Sequence, residues 1–189
     1  MGIFKSPAPL GLPDDDRIIG KTGSIGIPEF GTGFTRQMLV DTQPEGFDTL
    51  VRLSGFSHGT DLWLGNAQDL ITSGTASVKE TVGCRDDIML YLISKGMEPK
   101  MAFKIMEAVR KGKVKKGGFQ EGLEEKMHEL NVPQWYIDSL AKIAYLFPKA
   151  HAVAYVMMAF RIAYFKVHYP LAFYSAYFYR RSQKDGFDA

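Results

Sequence analysis

His151 and Tyr155 stand one helical turn apart in the segment FPKAHAVAYVMMAFRIAYFKVHYP, residues 147–170. At about 100° per residue, His151, Tyr155, Met158, Ile162 and Lys166 share one stripe of a helix, and Arg161 points to another side near Met157. A tyrosine ring can stack on a base, and a histidine can donate to a phosphate. The same pair also fits a histidine and a tyrosine satisfied inside a core, so spacing leaves both readings open.

A second set is cationic. Lys100, Lys104, Arg110, Lys111, Lys113, Lys115 and Lys116 fall within residues 100–116, against the single acid Glu107. Basic residues at a helix C-terminus are favoured by the dipole alone. This many exceed what capping needs. A contact with a phosphate backbone or a triphosphate fits, and so does a solvated face.

Metal-assisted hydrolysis or nucleotidyl transfer needs carboxylates that converge on a cation. Asp14, Asp15 and Asp16 lie in a Pro-flanked loop, Asp86 and Asp87 open a helix, and Glu124 and Glu125 lie on an amphipathic helix. Adjacent helical residues diverge by about 100°, so neither helical pair faces one ion easily. They read as caps or solvated surface, and no two-metal set is expected. The histidines, His58, His128, His151 and His168, give no zinc spacing with the single Cys84. Cys84 reads as a small buried or cap-adjacent residue. Glycines 20, 23, 26, 31 and 33 match neither GxxxxGK[ST] nor a GxGxxG between strand and helix, so this stretch is expected to be an ordered crossing loop.

The elements that must carry these residues are helical. Residues 1–33 are rich in Gly and Pro and read as irregular. FTRQMLVDT is expected to form a helix stopped before Pro44, and PEGFDTLVRLSGF another ending near Gly55. A helix ending at Gly74 follows a turn, and a further helix runs from about Arg85 to Ser94, with Asp86 and Asp87 in its first turn. EPKMAFKIMEAVRKG places Met101, Ile105 and Ala108 on one face and ends at Gly112, after which a glycine-rich loop is expected. QEGLEEKMHELN is amphipathic. Pro133 opens the helix PQWYIDSLAKIAYLF. The segment 147–170 and LAFYSAYFYRRSQ complete the series. The fold class is all-α: an irregular connecting segment over 1–33, then a multi-helix domain over 34–189 with a long buried C-terminal helix.

Bulk properties set bounds. The chain has 189 residues, 46% hydrophobic and 23% charged, with a net charge of +2. That is a globular composition, and bulk charge names no partner. One cysteine excludes an internal disulfide and fits a reducing compartment. The start MGIFKSPAPL lacks the apolar run of a secretory signal. The chain reads as a piece of something longer. The segment 147–170 is not a membrane span, because Lys149, His151, Arg161, Lys166 and His168 interrupt it and its clean run covers only 152–160.

The segments GKTGSIGIPEFGTGFTRQML, RLSGFSHGTDLWLGNAQDLI, GCRDDIMLYLISKGMEPKMAFKIMEAVRKGK, NVPQWYIDS and FPKAHAVAYVMMAFRIAYFKVHYPLAFYSAYF closely resemble the PolC-type alpha subunit of bacterial DNA polymerase III, the replicative C-family polymerase of Gram-positive bacteria. The resemblance runs from about Ile3 to Asp188, in the family's order. It implies a fingers region, with the catalytic aspartates of the palm, and the Mg2+ they hold, belonging to sequence absent here. It implies no catalytic residue and no bound cofactor in this chain, which alone is expected to be inactive. The implied partners are dNTP, the DNA primer-template and the rest of the polymerase (palm, thumb and C-terminal domains), with a sliding clamp reached through other regions and no membrane. The implied place is the cytoplasm, at the replisome.

By resemblance, Tyr155 stacks near the base or sugar of the incoming nucleotide, with His151 and Lys149 near its phosphates. Arg85, Lys104, Arg110 and Lys111 become candidates for triphosphate or template contacts, and His58, in SHGTD, for a place close to the pocket. Lys113, Lys115 and Lys116 are candidates for DNA. Two departures stand out: the loop over 114–122 is longer and richer in Lys and Gly than the family pattern, and Val153 replaces an alanine, which implies only a packing change. A free-standing helical module that binds nucleic acid, or one that binds protein through its aromatic C-terminus, is the alternative. Salt-steep DNA binding would mark the first and salt-insensitive apolar binding the second.

Overall fold

The computed structural model describes residues 1–185. Among these residues ten α-helices follow one another: α1 (Gly33–Thr42), α2 (Phe47–His58), α3 (Gln68–Thr72), α4 (Arg85–Ser94), α5 (Pro99–Arg110), α6 (Lys113–Gly117), α7 (Leu123–Glu129), α8 (Gln134–Lys142), α9 (Lys149–His168) and α10 (Pro170–Asp185). The fold is all-α. Extended pairing among the described residues is limited to isolated bridges, Asp16 with Gly20 and Thr60 with Tyr145. The irregular segment before α1 contains two short 3₁₀ turns, Gly2–Phe4 and Ala8–Leu10. Residues 186–189, where the expected helical domain and the resemblance end, lie outside the described residues.

The chain forms two compact units. One comprises Met1–Phe47 and the chain from Ala154 onward; the other is Asp48–Val153. In the first, Phe4 meets Phe30 edge-on with centroids 5.3 Å apart and lies 6.3 Å from Phe160, which also meets Phe47 edge-on. The glycine-rich loop is ordered by specific bonds. Gly23 N–H donates to Ile3 carbonyl at 2.8 Å, and the buried Lys166 ammonium donates to the carbonyls of Gly23 (2.7 Å) and Ile25 (2.6 Å). Arg36 donates to Ile19 carbonyl. A phosphate cradle would aim N–H groups outward; this loop instead turns carbonyls toward a cation.

In the second unit, α2 lies directly against the strand-like stretch before α4. A Cβ on Gly55 would sit 2.0 Å from Gly83 carbonyl oxygen, so the two glycines are what permit the approach. Gly55 therefore lies inside α2, and the helix continues to His58 rather than ending there. Arg52 on α2 binds the Asp87 carboxylate at 2.8 Å and also donates to Thr81 carbonyl. Asp87 in turn accepts from the N–H groups of Gly83 (3.0 Å) and Cys84 (3.2 Å), which is the capping role its position predicts. On α5 the buried face is Ala102, Ile105, Met106 and Val109. It is turned by about one residue from the expected Met101–Ile105–Ala108 stripe.

Further expectations need correction. The chain after Gly112 is not all loop: Gly112 takes a left-handed conformation (φ 66°) and ends α5, and buried Val114 then anchors the short helix α6. Helix α8 stops at Lys142, because Ile143 is extended (ψ 126°) and Thr60 and Tyr145 pair their backbones. Pro133 is its N-cap rather than its first turn. Lastly, α9 is not buried all round. Its buried residues are Ala152, Val156, Ala159, Ala163 and Lys166, a single 3-and-4-spaced stripe, while Tyr155, Met157, Met158, Tyr164 and Phe165 are exposed. Lys166 belongs to that inner stripe and not to the outer one with Tyr155.

Candidate functional site

Helix α9 starts at Lys149 because Pro148 drives Phe147 away from helical geometry. Its first N–H, on Lys149, donates to the Asp86 carboxylate at 3.2 Å, so the first turn of α4 caps the start of α9. Around this junction three rings stand together. His58, the last residue of α2, stacks on Phe147 with centroids 4.6 Å apart and planes 22° apart. His151 meets Phe147 at 5.8 Å and 71°. His58, Lys149 and His151 are exposed, and Arg85 beside Asp86 is half-buried. Two imidazoles thus flank Phe147, and the exposed Lys149 opens the helix beside it in sequence. The Asp86 carboxylate already sits on the first N–H of α9, so the groups here that can bind an anion such as phosphate are the two imidazoles and the Lys149 ammonium.

The loop after His58 ties this cluster to the basic run. Thr60 N–H donates to Tyr145 carbonyl at 3.0 Å, and Asp61 accepts from the Lys115 ammonium at 2.6 Å. Lys115 is therefore ion-paired. Arg110 grips Glu107 with two bonds, 2.7 and 2.9 Å, and Lys111 adds a third at 2.8 Å. Hydrogen bonds from Arg110 and Lys111 hold the Glu107 carboxyl down to about 2. Lys104, Lys113 and Lys116 are exposed.

Tyr155 lies in the other compact unit and is 43% exposed. Of the residues the sequence singles out, His58 and His151 meet at Phe147, and Lys149 opens α9 with its N–H on Asp86. Arg110, Lys111 and Lys104 gather along α5. Phe147 and Asp86 carry no signal in spacing, because 63 residues separate Asp86 from Lys149 and only the fold joins them.

Cys84 is no nucleophile: burial, with Asp87 nearby, pushes its thiol up to about 12. No three His, Cys, Asp or Glu side chains among the described residues are grouped to hold a metal ion.

Residues 12–131 match the sequence model of the bacterial DNA polymerase III alpha subunit finger domain. The chain belongs to this family. It is similar to the DNA polymerase III PolC-type of Staphylococcus saprophyticus, with 61% identity over 178 residues, and to those of Staphylococcus aureus strains MW2 and NCTC 8325, with 60% identity. In each case 94% of this chain is covered, and the chain spans 12% of the relative's length. The finger-domain match takes in His58, Arg85 and the basic run, and it ends before α8 and α9. No helix among the described residues is long and apolar enough to cross a membrane.

Proposed function

We infer that this finger domain serves a replicative DNA-directed DNA polymerase, binding the incoming dNTP and the primer-template during nucleotidyl transfer. The observation that carries this reading is the cluster at the start of α9, where His58 and His151 flank Phe147 and Lys149 opens the helix. Negative charge builds on the triphosphate during phosphoryl transfer, and fixed cations aimed at it lower the barrier. Lys149, His151 and His58 take the phosphates, with Arg85 from α4 beside them. Tyr155 stacks on the base or sugar. Lys104, Arg110 and Lys111 serve the triphosphate or the template, and Lys113, Lys115 and Lys116 the DNA. Mg2+ is held by palm carboxylates outside this chain, which alone does not extend a primer. The partners are primer-template, dNTP and the palm, thumb and C-terminal parts of one polymerase chain, with the sliding clamp engaged elsewhere, in the bacterial cytoplasm.

The test is single-turnover incorporation by a PolC-type polymerase carrying these residues. Tyr155→Ala raises the apparent dNTP Kd about tenfold, in line with about 1–3 kcal/mol for stacking one base. Unchanged Kd and unchanged incorporation rate contradict the role of Tyr155.

A further inference from the structure

Between α5 and the segment that carries α6 lies an open groove of about 370 Å³ lined by Phe103, Lys104, Glu107, Lys111, Lys113 and Gln120. Its wall combines two features that seldom serve packing. Phe103 is 49% exposed although α5 buries a complete apolar face on its other side. A lone exposed phenylalanine needs no explanation. This one has Lys104, Lys111 and Lys113 lining the same groove. The only acid in the wall, Glu107, is already bound by Arg110 and Lys111, so it does not oppose an incoming anion.

We propose that this groove is a path for single-stranded nucleic acid, in which Phe103 stacks on a base while Lys104 and Lys113 hold the flanking phosphates and Gln120 offers an amide to the base or sugar. Charge complementarity fixes the class of ligand as a polyanion. The ring narrows it further. A duplex hides its base faces, whereas every unpaired base presents one, and stacking on an aromatic beside a cationic track is how single strands are held without regard to sequence. That the strand is a polymerase template rests on the finger-domain reading above; the chemistry of the groove does not.

The experiment is fluorescence anisotropy with the full 189-residue chain and a labelled oligo-dT of about a dozen nucleotides, titrated across a range of KCl concentrations. Phe103→Ala is expected to weaken binding about tenfold at unchanged salt slope, and Phe103→Tyr to restore it. Lys104→Gln with Lys113→Gln is expected to reduce the magnitude of the log K against log salt slope by about 1.4, at about 0.7 for each phosphate no longer neutralised. A blunt duplex is expected to be bound equally by wild type and Phe103→Ala. The replaced side chains are exposed, and equal far-UV circular dichroism and melting midpoint check that each variant is folded. The proposal is overturned if wild type does not bind oligo-dT, if Phe103→Ala binds like wild type, or if the lysine pair leaves the slope unaltered. It is also overturned if dTTP competes as strongly as the oligonucleotide, since the groove then takes single nucleotides. Primer extension by a polymerase carrying these 189 residues separates the two readings. Extension with an insensitive groove sinks the groove alone. A sensitive groove without extension sinks the polymerase reading alone.

Discussion

Lys166 is fully buried, donates to two loop carbonyls and lies 5.6 Å from the Phe173 ring centroid. Burial, with Arg36 adding repulsion, lowers its ammonium from 10.5 to about 8. Between about pH 8 and 10.5 the unfolded chain therefore binds more protons than the folded one, and stability rises with pH across that window. Urea unfolding at pH 7.5 and 9.5 is expected to show this rise, and Lys166→Met is expected to abolish it. That variant also leaves two buried carbonyls without their donor and loses about 1–3 kcal/mol. A flat pH dependence in the wild type contradicts the assignment. The inward turn of this residue is not legible in the sequence, for a geometric reason. At about 100° per residue it sits about 40° from Ile162 and 60° from Ala163, between the outer and inner stripes, and only the loop carbonyls decide which side it joins. His151 and Tyr155 are legible as a pair one turn apart, but their neighbours Phe147 and His58 are not, since no periodicity links them.

Helix α9 works as a two-faced element. Its inner stripe in the first unit is built on Val156, Ala159 and Ala163, small enough to let the helix lie close to its neighbours, while Met157 and Met158 face out. Ala159→Met is expected to destabilise the chain by about 1–3 kcal/mol through overpacking, and Met158→Ala to change stability by about 0.5 kcal/mol or less. Chemical denaturation of both variants checks this, and equal effects contradict the two-faced description. Elements with local punctuation are readable in advance. For α4 the acids at its start and Gly96 after its end suffice, and it runs from Arg85 to Ser94 as spacing indicates. The stretch from Ile143 to Pro148 is not readable, because its conformation depends on pairing with Thr60 more than eighty residues earlier. The uniform apolar character of α9 likewise hides which face is covered.

At the scale of the whole molecule, the first unit exposes a dense aromatic surface. Leu171 is 85% exposed, Tyr179 62% and Phe178 60%, and Tyr164 and Phe165 on α9 are each half exposed. Contiguous exposed apolar surface is characteristic of interaction sites, and the chain spans 12% of its relatives' length. In the finger-domain reading the rest of the polymerase covers it. The 189-residue chain is accordingly expected to bind the dye ANS, and Leu171→Glu with Phe178→Glu to reduce that binding without lowering the melting midpoint. A chain silent to ANS and monodisperse at high concentration contradicts this. The central claim, that these helices act as the fingers of a PolC-type polymerase, is tested most directly by exchange. These 189 residues replace the corresponding segment of the Staphylococcus saprophyticus enzyme, which is 61% identical, and primer extension is measured. The account predicts extension that is retained in the chimera and lost or strongly reduced when His58 and His151 are both replaced by alanine. A folded chimera that binds primer-template yet adds no nucleotide, or one that extends equally well without both histidines, contradicts it.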